Sequence, residues 1–256
     1  MLSDFVPIIH RLQGRTIRIW PVADVHIGAR ECDLDGFEAF LRRVQDDEDA
    51  YILLVGDLVD NGIRSTSSPT DIYAATMQPE QQVETAVELL TPVAGRILGA
   101  VGGNHERRTT KAVNIDIMSY ICSLLHIPEL YRPNMAFIRI SLQENGMADR
   151  YALMMTHGKT ENKKKQFTNI VEGVDACIYA HTHTPSVQFP ASRIRFNHRN
   201  TITFHEVISM TACSWLKPGG YSLSSLYVPQ VAARPQCLEL PWTGSNSTKG
   251  RMRVVW

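Results

Sequence analysis

The chain has 256 residues, 44% of them apolar and 20% charged, with a formal net charge of zero, as expected of an ordinary globular protein. That length suits one α/β domain spanning 1–256 better than two small ones, and the neutral balance excludes a polycation built to coat nucleic acid or anionic membrane, while leaving room for a local basic groove. No apolar run approaches the ~20 residues needed to span a bilayer, Met1–Phe5 lacks a signal-peptide core, and five cysteines without a Cys-x-x-Cys pair read as free thiols in a reducing, cytoplasmic setting.

In chain order, Arg15 to Ala23 is rich in β-branched and apolar residues and predicts a strand running into Asp24. Asp33 to Gly36 offers helix N-cap chemistry, with Phe37, Phe40, Leu41 and Val44 following at helical spacing. Tyr51 to Val55 is a short continuous apolar run ending at Gly56-Asp57, the pattern of a strand buried on both faces. A Ser/Thr/Pro-rich loop over 61–70 leads into a helical stretch reaching Leu90, with Pro79 as a break or a new start. Arg96 to Val101 predicts the next strand, closed by Gly102-Gly103, and Lys111 to Leu125 predicts one helix with Ile115, Met118, Ile121, Cys122 and Leu125 on a stripe.

From Ala136 the texture becomes mostly β: Phe137 to Leu142, Tyr151 to Met155 and Ala176 to Ala180, with one more helix expected over Lys163 to Val171. Further β-like runs cover Ser186 to Phe189, Arg193 to Asn197, Thr201 to Ile208 and Cys237 to Leu240. The tail near 243–249 is expected to be flexible and Arg251 to Trp256 to return as an edge strand. The fold class expected is α/β, a layered sandwich of two mixed sheets flanked by helices.

Acidic, amide and imidazole residues recur where predicted strands end: Asp24-Val-His26, Gly56-Asp57-Leu-Val-Asp60, Gly103-Asn104-His105-Glu106, Thr156-His157-Gly158 and His181-Thr-His183. Polar residues just beyond the carboxyl ends of sheet strands are where open α/β folds build sites. Carboxylates to neutralise charge, imidazoles for borderline-soft ions and an amide oxygen make a donor set for divalent cations. Five of the nine histidines lie in these segments. The ligands are spread across several strand–helix units, so the sheet must assemble them, unlike the clustered ligands of a zinc finger.

This ordered set resembles the calcineurin-like metallophosphoesterase superfamily, with Ala180 standing where that family usually has glycine. The resemblance implies that Asp24, His26 and His183 hold one metal, that Asn104, His157 and His181 hold a second, and that Asp57 bridges them. It further implies hydrolysis of phosphoesters by a hydroxide that the two metals activate. His105 would face the leaving oxygen as proton donor or positive group, and Asp60 would orient it. The metals are expected to be Mn²⁺, with Fe, Zn or Co as alternatives.

The serine/threonine protein phosphatases resembled typically place an arginine after the second aspartate of this motif, whereas Asn61 stands here; Ala23 to Ala29 instead resembles the opening of DNA-repair exonucleases. Arg107, Arg108 and Lys111 follow the histidine motif, Lys159 and Lys163 to Lys165 lie between His157 and His181, and Arg193, Arg195 and Arg199 come later. Of these, Arg107, Arg108, Lys159 and Lys163 are the candidate substrate contacts, able to meet phosphates electrostatically. A phosphodiester substrate, DNA or nucleotide, is therefore expected. A phosphomonoesterase or protein phosphatase, and a non-catalytic binding protein on the same fold, are the alternatives. Oligomeric state is not legible.

Overall fold

The computed structural model of the protein describes residues 3–64, 75–158, 173–188, 193–196, 201–217, 234–244 and 251–255. The expected loop at 65–70, the helix at 163–171, Lys159, Lys163 and Arg199, and the tail at 245–249 lie outside the described residues.

Two sheets, each of six strands among the described residues, pack face to face. One contains β2 (Thr16–Val22), β3 (Ala50–Leu54), β4 (Ile97–Val101), β5 (Tyr131–Arg132), β13 (Cys237–Pro241) and β14 (Arg253–Val255), in the order β14-β13-β2-β3-β4-β5. In it β2, β3, β4 and β5 run parallel, and β13 and β14 pair antiparallel at the edge. The other contains β1 (Ile8–Gln13), β6 (Met135–Glu144), β7 (Met147–Thr156), β8 (Ala176–Tyr179), β9 (Ser186–Gln188) and β12 (Ile208–Thr211), in the order β1-β6-β7-β8-β12-β9. β10 (Arg193–Phe196) and β11 (Ile202–His205) pair as a two-stranded ribbon whose strands belong to neither six-stranded sheet. This is the α/β sandwich of two mixed sheets that the sequence pattern predicts.

The inner faces meet in one apolar layer. Ile17, Ile19, Leu53, Val55 and Leu98 from the first sheet pack against Ile138, Ile140, Leu153, Met155 and Ile178 from the second. The other face of the first sheet carries α1 (Leu34–Asp46), α2 (Pro79–Leu90) and α4 (Ile117–Leu124). All four residues predicted for the apolar stripe of α1 are buried, and the Asp33 carboxylate caps its start by accepting from Gly36 N–H at 3.3 Å. Pro79 occupies the first turn of α2, so it starts a helix and does not break one.

Two expectations are corrected, and one strand is added to those expected. The single helix predicted for Lys111 to Leu125 is two, α3 (Glu106–Val113) and α4. Asn114 takes a left-handed φ of 58° between them, and Asp116 caps α4 by accepting from Ser119 N–H at 3.0 Å. The run Thr201 to Ile208 divides into β11 and the start of β12 at Glu206-Val207. An N-terminal strand that was not predicted, β1, pairs in parallel with β6. Among the described residues no helix is long and apolar enough to cross a membrane, and all five cysteines are free, four of them buried.

The left-handed break at Asn114 makes a sharp stability test. A β-branched side chain is strained there, so Asn114→Val should lower unfolding free energy by about 1–2 kcal/mol, while Asn114→Gly should stay within a few tenths of wild type. Urea unfolding of both variants checks this; equal stabilities would contradict the break.

Candidate metal centre

The site forms where the carboxyl ends of parallel strands from both sheets meet. Asp24, Asp57 and Asn104 follow β2, β3 and β4; His157 follows β7, and His181 and His183 follow β8. Cross-sheet hydrogen bonds lock the two edges together: His181 N–H donates to Asp24 Oδ2 at 2.9 Å, and His157 Nδ1 meets Val55 O at 2.7 Å. Five of the seven residues expected as ligands (Asp24, His26, Asp57, His181 and His183) have left-handed backbone, as does Asn61. Non-glycine residues held there cost ~1–3 kcal/mol each and persist where surrounding structure over-determines them, most often at functional sites.

The ligand atoms fall into three groups, each within 4.8 Å: Asp24 with His26 and His183, Asp57 with His157 and His181, and His26 with Asp57 and His105. The first group holds the three residues expected around one metal, and the second holds Asp57 with two of the three expected around the other. Asn104 joins the second, its Oδ1 lying 3.0 Å from His157 Nε2. The structure therefore brings together all seven expected ligands and His105. The third group adds something the sequence reading did not contain, since it sets His105 among donors that could themselves hold an ion.

The donor set fits a cation. Asp24 and Asp57 are 0% and 1% exposed, and a buried carboxylate is costly unless its charge is compensated. Asp24 Oδ1 is buried and has no hydrogen-bond partner, yet three imidazole nitrogens surround it: His183 Nε2 at 3.6 Å, His157 Nε2 at 3.8 Å and His26 Nε2 at 4.0 Å. His26 Nε2 and His183 Nε2 are 3.2 Å apart, close to the roughly 3–3.4 Å separating two nitrogens that each lie about 2.1 Å from one ion.

Protonation follows from these contacts. His157 gives its Nδ1–H to the Val55 carbonyl, which leaves Nε2 facing Asp57 Oδ2 at 3.0 Å and Asn104 Oδ1 at 3.0 Å, both acceptors. A proton or a cation must sit between them. Burial alone would depress the His157 pKa, but the Asp57 and Asp24 carboxylates raise it to about 9. His26 goes the other way: burial, with the His105 charge adding to it, lowers it to about 4, the neutral ligand form. Burial opposes ionisation of Asp57, yet the surrounding imidazoles, His157 first, hold its pKa well below the usual carboxylate range.

His105 is fixed on several sides. Its backbone N–H donates to Asp57 Oδ1 at 2.8 Å, Nδ1 lies 2.7 Å from Asp60 O and 3.2 Å from Asp60 Oδ1, and Nε2 lies 3.1 Å from Arg108 Nη2. Asp60 also faces His26 Nδ1 at 3.6 Å. Arg108 thus stands beside the cluster. Arg107 turns away from it, with its Nη2 donating to Gly102 O and Pro133 O at 3.0 Å each. Arg193 and Arg195 lie on β10, in the separate two-stranded ribbon.

Sequence reasoning gave no role to Glu106. Its buried carboxylate accepts N–H groups from Leu58 (2.7 Å), Gly103 (2.8 Å), Asp57 (3.0 Å) and Val59 (3.3 Å), and so clamps the Asp57 loop to the Asn104 loop. A Cβ at Gly103 would stand 2.0 Å from Asp57 Oδ1, so only glycine permits that approach. The acid following the asparagine–histidine pair was visible in the sequence, but four backbone donors converging on it were not.

A cation entering this site must displace the proton on His157. Below about pH 9 uptake should release protons, and apparent affinity should rise with pH toward that value. Calorimetric titration with Mn²⁺ at pH 7 in buffers of different ionisation enthalpy reads this directly. The observed heat should change with the buffer, whereas the same heat in every buffer would contradict the assignment.

Comparisons with known proteins add the family. Residues 17–185 match the calcineurin-like phosphoesterase profile. Among solved structures, the chain is similar to the calcineurin-like phosphoesterase YfkN from Bacillus subtilis, at 13% identity and TM-score 0.44 over 94% of this chain and 90% of that one. It is also similar to a metallophosphoesterase from Sphaerobacter thermophilus, at 15% identity and TM-score 0.41 over 88% and 84%. A third, Vps29 from Chaetomium thermophilum, gives 11% identity and TM-score 0.40 over 93% and 96%. No curated protein matches the sequence. The profile match spans most of the chain and every residue of the centre described above, so the chain belongs to the calcineurin-like phosphoesterase family and is a phosphoester hydrolase.

Proposed function

We propose that this enzyme is a phosphodiesterase acting on nucleic acid or nucleotides, that it works with two divalent cations, and that the whole chain forms one domain. Asp24, His26 and His183 would hold the first cation, and Asn104, His157 and His181 the second, with Asp57 shared. The observation that supports this reading is the place of Asp57, a buried carboxylate grouped with His157 and His181 on one side and with His26 and His105 on the other. A carboxylate with two oxygens suits that shared task. When bound, two such cations supply Lewis acidity and a water of lowered pKa.

The chain's own residues supply the rest. His105 Nε2 stands 4.0 Å from Asp57 Oδ2, which keeps the imidazole next to the cation-holding groups and able to hand a proton to a leaving oxygen. Asp60, buried beside His105 Nδ1, holds that ring in one orientation. Burial and the Arg108 charge work against a charged His105, but the Asp57 charge and the Asp60 hydrogen bond outweigh them and raise its pKa, which favours the proton-carrying form.

The diester preference rests on charge. A diester brings one negative charge and a monoester up to two. Asn61 occupies the place where the resembled protein phosphatases carry an arginine, and it is buried, so it offers no cationic grip. Arg108 is the guanidinium placed beside His105. The mixed nitrogen and oxygen donors suit Mn²⁺, and four buried free thiols suit a reducing cytoplasm.

Activity should vanish with a chelator and return with Mn²⁺, and bis(p-nitrophenyl) phosphate should be cleaved with higher kcat/KM than p-nitrophenyl phosphate. Faster monoester turnover would overturn the diester assignment, and full activity after exhaustive chelation would overturn the metal-dependent reading. Asp57→Asn should lower both metal occupancy and turnover more than replacement of any unshared ligand; near wild-type values would remove Asp57 from its shared role. His105→Ala should keep metal but lose on the order of 10²–10⁴ in rate, chiefly for poor leaving groups. Equal loss for good and poor leaving groups would point to substrate positioning instead.

A further inference from the structure

We infer that Asn61 is a positioning residue for His105, held by Gln82 and Thr109 in a buried bracket that sets where the imidazole stands relative to Asp57. The kinetic part of this inference rests on the leaving-group role proposed above for His105.

Asn61 and Gln82 are both 0% exposed, unusual for carboxamides. Asn61 Nδ2 donates to the His105 carbonyl at 2.7 Å, and Thr109 Oγ1 lies 2.9 Å from Nδ2 and 3.0 Å from Oδ1. Asn61 N–H donates to Gln82 Oε1 at 2.8 Å, and Gln82 Nε2 donates to Met77 O at 2.9 Å. The bracket therefore runs from the start of α2, through the loop after β3, to the first turns of α3. It also reaches the His26 loop, because a Cβ on Gly28, which has φ of 95°, would come within 2.3 Å of Gln82 Nε2.

The target of these bonds separates the bracket from ordinary core packing. They end on the backbone of His105 itself, whose N–H is bound to Asp57 and whose Nδ1 is bound to Asp60. Residues 57, 60 and 61 of one loop thus hold the N–H, ring and carbonyl of one histidine. Asn61 adopts φ of 47° to do this, and asparagine is among the few side chains that enter this region readily. Catalytic geometry must be kept to within a fraction of an ångström, and a misplacement of about 1 Å can cost ~100-fold in rate.

The test uses Thr109→Val, Asn61→Asp and Gln82→Leu. They remove, in turn, the hydroxyl that meets Asn61, the donor to the His105 carbonyl, and the acceptor for Asn61 N–H together with the bond to Met77 O. Thr109→Val is nearly isosteric at a half-buried position, so it keeps the test open if either buried-amide variant fails to fold. Histidine side-chain NMR of the chelated full-length protein, with the His105 signal identified by its loss in His105→Ala, should show that signal shifted in each folded variant while the His10 signal stays. An unmoved His105 signal would overturn the bracket.

Kinetics then use a p-nitrophenyl ester and an alkyl ester of whichever class, diester or monoester, the wild type turns over. For the alkyl ester, kcat should fall about 10–100-fold with KM changed less than about threefold, and bound metal should be retained. In a His105→Ala background the same substitutions should have less than about a twofold further effect, because coupled residues do not add. Fully additive losses, or loss of metal, would make the bracket structural only. If His105→Ala itself spares both esters, the leaving-group role falls, while the NMR result still decides whether the bracket positions the ring.

Discussion

Two carboxylates buried from water govern this structure. Asp24 and Asp57 lie at the ends of neighbouring parallel strands, are almost fully shielded, and have burial opposing their charge. Isolated, they would be too costly to keep ionised. Imidazoles from the facing sheet answer part of that charge, and the same clustered donors could hold a cation to answer more. The need to compensate buried charge therefore explains why histidines gather at one edge of the sandwich and why His157 holds a proton so firmly.

Such a site is expensive in backbone terms. Left-handed conformations at Asp24, His26, Asp57, Asn61, His181 and His183 turn each chain sharply as it leaves its strand and aim the side chains inward. What holds those turns is the layer behind the ligands. Glu106 gathers four backbone N–H groups, Gln82 and Asn61 tie α2 to the histidine loop, and the Val55 carbonyl sets the His157 ring. Ligand rings and carboxylates held by such outer partners keep their tautomer and direction. The inter-sheet core supplies the rigid platform on which this layer rests.

Much of this was legible in the sequence, for a physical reason. The continuous apolar run Tyr51–Val55 and the β-branched and apolar stretches before Asp24 and Asn104 stop at those polar residues, so Asp24, Asp57 and Asn104 read as strand-end residues, and the histidines after β7 and β8 follow the same rule. The α1 stripe was equally plain, since period and capping agreed. The supporting layer was hidden. Glu106 and Gln82 act on backbone groups distant along the chain, and no local pattern announces a bond to a loop 20 to 50 residues away. Two other signals were present but outweighed. Asn114 and Asp116 spell a helix end and a new cap, yet the apolar stripe from Ile115 to Leu125 ran on at helical spacing. Asn145-Gly146, both at positive φ, is a tight hairpin turn that extends β6 and β7 well past the shorter runs expected.

The central claim is that one shared carboxylate and two separate donor groups hold two cations. Crystals grown with Mn²⁺, with anomalous differences collected near the manganese edge, test it most directly. Two peaks are expected: one against Asp24, His26 and His183, one against Asn104, His157 and His181, with Asp57 contacting both and His105 contacting neither. A single peak, or a peak coordinated by His105 with His26 and Asp57, would contradict it.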